Sequence, residues 1–256
     1  LEAQVSEEDQ IPDEIVSEMR DLGLFGLTIP ESYGGLGLNS EEECHIVMEL
    51  GRTSPAFRSV VGTNMGIGSQ GLLMDGTEEQ RRHFLPKLAS GEIIGSFALT
   101  EPNAGSDSAS LQTKAVKDGD DFLLTGTKQW ITNAKSAQLF TVFARTDPDE
   151  SRSKGVSAFL VEADRSGISL SSNYKKMGQQ GAHVCDINFD QCRVPRSNII
   201  GGPDRINKGF QTAMKTLDRG RIHIAALSVG CAKRLIDMSI SYALERKQFG
   251  KPIAEF

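Results

Sequence analysis

The hydrophobic pattern changes period twice along this 256-residue chain, and that change restricts the folds open to it. Up to about residue 90 the texture is helical. Ile11-Pro12-Asp13-Glu14 puts a proline and acids into a first turn, and Gly23 is a natural stop. Glu41–Leu50 reads as a second helix. Thr77-Glu78-Glu79-Gln80 is a capping-box pattern that starts a helix running through Leu88 and ending before Gly91. From about Gly91 to Gly202, short apolar or alternating runs (Phe122–Leu124, Leu139–Ala144, Val156–Val161, Val184–Phe189) lie between turn clusters such as Asp118-Gly119 and Asp164–Gly167. That is the pattern of an antiparallel β-sandwich or barrel and not of alternating βαβ units. Helix returns from Asn207. Leu227, Cys231, Leu235, Met238 and Tyr242 recur at three-and-four spacing until Gly250 and Pro252. The expected class is α+β and multi-domain. It comprises an all-α N-terminal domain over 1–90, a β-domain over 91–205 and a helical segment over 206–256. The stripe of that last segment must be covered by the β-domain, another chain or further residues.

Within the β-domain, Phe97–Asp107 reads FALTEPNAGSD. The first half is a buried strand, the second a tight polar loop at its end. The loop offers backbone N–H groups and the hydroxyls of Thr100 and Ser106 to a flat polar ligand. Trp130–Asn133, WITN, is a second such element and holds the single tryptophan. The bland readings stand beside these: Pro-Asn-Ala-Gly-Ser-Asp is ordinary turn chemistry, and tryptophan usually packs in or near a core.

Charge and cysteine usage narrow the classes. A net charge of −6 argues against wholesale binding of nucleic acid or anionic membranes, although a local basic patch can still hold a phosphate. Cys44, Cys185, Cys192 and Cys231 form no CxxC pair, and the four histidines form no HExxH, so neither a metal site nor a disulfide framework is expected. No apolar run approaches the roughly 20 residues of a membrane span, and no signal-peptide pattern opens the sequence. Gly66–Gly71 spells GxGxxG, but it follows no strand and lacks an acid at the βαβ distance, so close helix packing is expected there.

IPESYGGLG (Ile29–Gly37), LTEPNAGSD, WITN and ALERKQFG (Ala243–Gly250) occur in the order and spacing of the acyl-CoA dehydrogenase family, which the chain resembles from about Ile11 to Phe256. The resemblance implies an FAD enzyme that converts an acyl-CoA to the trans-2-enoyl-CoA and passes electrons to an electron-transfer flavoprotein. The implied location is the cytoplasm of a bacterium or the mitochondrial matrix of a eukaryote. It further implies that residues 206–256 are the first helices of a longer C-terminal bundle, cut short here. By the family's motifs, Phe97, Leu99, Thr100, Gly105, Ser106, Trp130, Ile131 and Thr132 line the flavin. Arg246 and Phe249 reach the FAD of a neighbouring subunit in a homo-oligomer, a dimer or a homotetramer built as a dimer of dimers. Without the resemblance, Arg246 reads as a solvated helix-end cation. Ser106, Asp218 and Arg221 fall where the acyl-CoA lies; the alternative for Asp218–Arg221 is an exposed helix start.

No residue of this sequence is assigned as the catalytic base. Most family members carry it as a glutamate in a later Tyr-Glu-Gly-Thr-like segment, which is absent here, and in a minority it precedes the arginine aligned with Arg221, where this chain has Gly220. The base is therefore expected beyond Phe256, and the short- to medium-chain pattern is the one matched. Phe57-Arg58-Ser59 aligns with the glutaryl-CoA dehydrogenase branch, whose arginine holds a distal carboxylate. A helix-surface or interface arginine is the favoured reading of Arg58, because Gly51 and Gly62 stand where that branch has polar partners. The rival functions are an acyl-CoA oxidase, a glutaryl-CoA-type dehydrogenase and a non-catalytic FAD/CoA-binding fragment.

Overall fold

The computed structural model describes residues 1–150 and 152–256. Six helices come first: α1 (Glu2–Glu8), α2 (Asp13–Asp21), α3 (Ser40–Gly51), α4 (Pro55–Gly62), α5 (Ser69–Asp75) and α6 (Glu78–Ser90). Local chemistry sets several of their ends. The chain leaves α2 through Gly23 at φ 71°, a conformation that costs glycine little. At α6, Gln80 N–H donates to Thr77 Oγ1 (3.2 Å) and Thr77 N–H to Gln80 Oε1 (3.0 Å), the reciprocal box expected from sequence. Gln80 also donates from Nε2 to the carbonyls of Ser197 (2.8 Å) and Ile199 (2.7 Å), tying α6 to the segment that precedes the last helix.

Sequence patterning missed α1, α4 and α5. Between α4 and α5 the chain forms a π-type turn, Thr63–Gly68, in which Gly66 leaves helical geometry. A Cβ at Gly68 would lie 2.8 Å from the Thr63 carbonyl and 3.0 Å from Gly95, so this glycine packs closely against a strand; a Cβ at Gly71 would lie 3.1 Å from Thr212 of the last helix, whereas one at Gly66 would meet nothing within 4 Å.

Among the described residues seven strands form one curled sheet: β1 (Gly95–Ala98), β2 (Lys114–Asp118), β3 (Asp121–Thr132), β4 (Leu139–Arg145), β5 (Val156–Glu162), β6 (Ile168–Leu170) and β7 (Val184–Pro195). The path is β1-β4-β2-β3-β7-β6, with β5 on the other edge of β4. The class is α+β as expected, with one refinement. The β2–β3, β3–β7, β4–β5 and β6–β7 pairs are antiparallel, whereas β1 and β2 pair with β4 in parallel, so the sheet is mixed. The FALTEPNAGSD loop and the β2–β3 hairpin separate β1 from β4, giving the chain enough length to return in the same direction. β4 and β5 are buried along almost their whole length, whereas β3 alternates, turning Phe122, Leu124, Lys128 and Ile131 inward.

The last helix, α7 (Gly209–Glu245), is a single rod of 37 residues. It packs on α3 where Gly51 and Gly230 leave no room for a Cβ between the backbones. No α7 residue beyond Gly230 is buried. The expected stripe is therefore covered only at its start: Leu227 is 9% exposed, but Leu235, Met238 and Tyr242 are 62%, 56% and 61% exposed. The helix also ends before Gly250 and Pro252, which belong instead to a small ribbon of β8 (Lys247–Gln248) and β9 (Lys251–Pro252). Among the described residues no helix is long and apolar enough to cross a membrane.

Candidate functional site

The motif loop at the end of β1 is held by a buried ion pair. Glu101 accepts from Lys128 Nζ at 2.7 Å and from the backbone N–H groups of Gln112 (2.6 Å) and Thr113 (2.9 Å). Lys128 also donates to the Leu99 carbonyl at 3.2 Å. Burial would raise Glu101, but the lysine charge and these hydrogen bonds outweigh it and hold the carboxyl below its ordinary range. Burial lowers Lys128 to about 8, with Glu101 opposing the fall, so the pair is ionised at neutral pH. Glu101 is thus a structural anchor, in keeping with its not being read as a base.

The loop so held faces β3 across a cavity of about 500 Å³. Phe97, Leu99, Thr100, Gly105, Ser106, Trp130, Ile131 and Thr132 line it, together with Thr63, Ile67, Met214, Leu217 and Arg221. Eight of the ten cofactor candidates therefore share one wall system: apolar faces from Phe97, Leu99 and Ile131, hydroxyls from Thr100, Ser106 and Thr132. A Cβ at Gly105 would meet nothing within 4 Å and would project into open space, so its absence lets a ligand approach the backbone. Trp130 is neither core nor half-hidden: it is 58% exposed and adopts φ 58°, a left-handed conformation rare for an aromatic residue. Such a set suits a flat, partly apolar ring with polar edges.

A second cavity, about 420 Å³, adjoins the first through Thr63, Ile67, Leu217 and Arg221. Its other walls are Arg58, Gly62, Gly66, Gly220, His223 and Ile224. Arg58 Nε donates to His223 Nδ1 at 2.9 Å, and its Nη2 is directed at the same nitrogen. Arg58 is therefore not the helix-surface residue expected; it sits inside the cleft, and Gly62 makes the room, since a Cβ there would lie 2.6 Å from Arg58 Nε. Burial, and then the charges of Arg58 and Arg219, lower His223 to about 3, so the imidazole is neutral with its Nδ1 accepting. Burial also lowers Arg58 to about 10. Glu43 lies 3.8 Å from His223 Nε2 and 3.3 Å from Arg219 Nη2, and burial raises it above the usual carboxylate value. His223, Lys128 and Glu43 escaped sequence reading because a lone histidine, lysine or glutamate carries no spacing signal.

The remaining candidates lie apart or at the rim. Asp218 is exposed and 3.7 Å from Arg221, which lines both cavities. Arg246 and Phe249 are exposed at the far end of α7, roughly 37 Å along the helix axis from Arg221. Phe249 packs edge-on against Phe256. Among the described residues no carboxylate lines either cavity, and no cluster of three His, Cys, Asp or Glu side chains could hold a metal ion.

A helical layer, a curled β-sheet and a long helix enclosing a cleft whose shape suits a planar group define an α+β class of protein. The sequence comparisons make the class specific. Residues 1–92, 96–192 and 207–256 match the N-terminal, middle and C-terminal domains of acyl-CoA dehydrogenase, and the chain belongs to that family. A probable acyl-CoA dehydrogenase of Bacillus subtilis is 41% identical over 252 residues, covering 98% of this chain and 66% of that protein. The structure of butyryl-CoA dehydrogenase from Megasphaera elsdenii superposes with a TM-score of 0.94 at 33% identity, covering 100% of this chain and 68% of that one. A glutaryl-CoA dehydrogenase from Mycobacterium smegmatis in complex with FADH2 superposes with a TM-score of 0.89 at 31% identity, covering 100% and 64%. The chain spans 64–66% of the length of the first curated relatives it matches.

Proposed function

We propose that this chain forms the FAD- and acyl-CoA-binding part of an enzyme that oxidises an acyl-CoA thioester to the trans-2-enoyl-CoA and delivers electrons to an electron-transfer flavoprotein. The supporting observation is the single cleft in which eight motif residues meet a second cavity through Thr63, Ile67, Leu217 and Arg221. The donor set fits FAD: Phe97, Leu99 and Ile131 would pack a ring face, Trp130 would cover it, and the Thr100, Ser106 and Thr132 hydroxyls would bond its polar edge. When bound, the isoalloxazine supplies the hydride acceptor. Arg221, Asp218 and Ser106 would hold the thioester's pantetheine side, and Ile67, Met214 and Leu217 of the cleft wall would keep water from the reacting carbons. The proton acceptor would come from the part of the relatives' length that this chain does not span, since among the described residues no carboxylate lines either cavity. Arg246 and Phe249 would act on the cofactor of a second copy in a homo-oligomer, where a planar guanidinium suits a pyrophosphate. The test is anaerobic addition of acyl-CoA to the full-length, FAD-loaded protein. Bleaching of the oxidised flavin band is expected; a persistently yellow protein with every chain length refutes the activity.

One observation favours a second reading. Arg58 projects into the acyl-side cavity, and its nearest partner is a neutral histidine; among the described residues no carboxylate lies within ion-pair distance of it. An acyl group ending in a carboxylate, of the glutaryl type, would add a direct ion-pair partner to the more distant charge of Glu43.

A further inference from the structure

Trp130 carries a conformational cost that its surroundings must offset. The origin is an extra residue in β3. Lys128 pairs with Ile187 and Ile131 with Cys185, so Gln129 and Trp130 together face the single residue Asp186. A two-against-one step of this kind bends a strand and re-aims a side chain. Here it turns the indole into the cleft.

Asp186 meets that bulge from behind. Its Oδ1 accepts from the Trp130 N–H at 3.4 Å, and the Tyr174 hydroxyl donates to the carboxylate at 2.9 Å. The same hydroxyl accepts from Gln129 Nε2 at 2.9 Å. The Asp186 N–H is bound to Ser171 Oγ (2.9 Å), and the Tyr174 N–H to the Val184 carbonyl (2.9 Å), so both side chains spring from a fixed backbone. On the opposite side the Gln129 N–H donates to the Thr100 carbonyl at 2.8 Å, joining the bulge to the motif loop. Gln129, Tyr174 and Asp186 do not line the cleft, so any effect on a ligand passes through Trp130 and Thr100.

We propose that Asp186, with Tyr174 and Gln129, is a positioning set that fixes Trp130 as one wall of the cleft. Its consequence for FAD rests on the flavin reading above; its consequence for the indole does not. The single tryptophan makes the test direct, because emission reports this position alone. Wild type, Asp186→Leu, Asp186→Asn and Tyr174→Phe are compared by emission maximum, acrylamide quenching and FAD titration, with circular dichroism as the check on folding. Asp186→Leu is expected to shift the emission, alter quenching and weaken FAD binding about tenfold, equivalent to about 1.4 kcal/mol. Asp186→Asn keeps an acceptor for the Trp130 amide and restores both signals; Tyr174→Phe falls between. A folded Asp186→Leu with wild-type emission, quenching and FAD affinity overturns the proposal. If the indole responds as expected while even wild type takes up no FAD, the positioning role stands and the flavin reading fails. If Asp186→Leu does not fold, Tyr174→Phe decides, and unchanged emission there overturns the proposal.

Discussion

Removing Glu101 alone should destabilise the protein more than removing Lys128 alone, and the loss should shrink as pH rises. In Glu101→Leu, Lys128 keeps one acceptor, the Leu99 carbonyl, inside a site where it is fully buried. It escapes by losing its proton. At pH 7, neutralising a lysine of ordinary pKa costs at most about 5 kcal/mol, from about 1.4 kcal/mol per unit. The Gln112 and Thr113 N–H groups also lose their acceptor, worth about 1–3 kcal/mol each where the loop cannot relax. A net loss of about 4–6 kcal/mol is expected, near the range for breaking a buried pair. Lys128→Met leaves Glu101 bonded to two amides and should cost about half as much. The double variant Glu101→Leu/Lys128→Met should lose at least about 2 kcal/mol less than the sum of the singles. The sign with pH follows from proton counting. Folded wild-type Lys128 titrates near 8, whereas in Glu101→Leu, without its partner's field, it titrates lower. Between that value and the unfolded one, the unfolded chain holds a proton the folded variant lacks, so stability rises with pH by about 1.4 kcal/mol per unit. From pH 6.5 to 8 the variant gains up to about 2 kcal/mol and wild type, half deprotonated at pH 8, about 0.4 kcal/mol, so the gap should narrow by about 1.6 kcal/mol. Urea unfolding followed by circular dichroism at both pH values measures it. A gap that does not change with pH, or a Glu101→Leu loss under about 1 kcal/mol, refutes the argument.

Other expectations are more compact. His223 is held near 3 in the fold against 6.5 unfolded, so stability should fall with a slope of up to about 1.4 kcal/mol per unit as pH drops through that window. His223→Gln should remove this contribution, and an unaltered acid titration would count against it. In the full-length protein, Arg58→Ala should spare butyryl-CoA turnover and lower kcat/KM for glutaryl-CoA about 10- to 100-fold if Arg58 bonds a carboxylate; equal effects on both substrates would sink the glutaryl-type reading. Arg246→Ala in the full-length protein should leave purified enzyme partly stripped of FAD, and full flavin occupancy would remove the cross-subunit role. Peroxide released at the rate of acyl-CoA oxidation would replace the dehydrogenase reading with an oxidase.

What the sequence disclosed was local. The Thr77–Gln80 box and the Gly23 stop were legible because each is specified within one turn of chain. The cleft wall was legible because its residues come from two short contiguous motifs. The groups that hold the wall in place were not. Lys128 meets Glu101 across 27 residues, and Arg58 meets His223 across 165, distances over which single residue types leave no pattern. The parallel pairing of β1 with β4 is a matter of chain path, to which the alternation of side chains is blind. The left-handed Trp130 follows from one surplus residue between two ladder registers, visible only once the partner strand is aligned. The π-type turn at Thr63–Gly68 broke the helical period that would have announced α4 and α5.

Helix α7 is buried along its first part, up to Gly230; beyond it no residue is buried, and Arg234, bonded to Glu2 and the Arg52 carbonyl, and Asp237, paired with Arg52, tie its next turns to the body. Amide hydrogen exchange in this chain should therefore form a gradient, slow where α7 lies on α3 and progressively faster from Asp237 toward Glu245. Whatever covers Leu235, Ile236, Met238, Ile240 and Leu244 would flatten that gradient, so deuterium uptake in the last four turns becomes a direct measure of assembly.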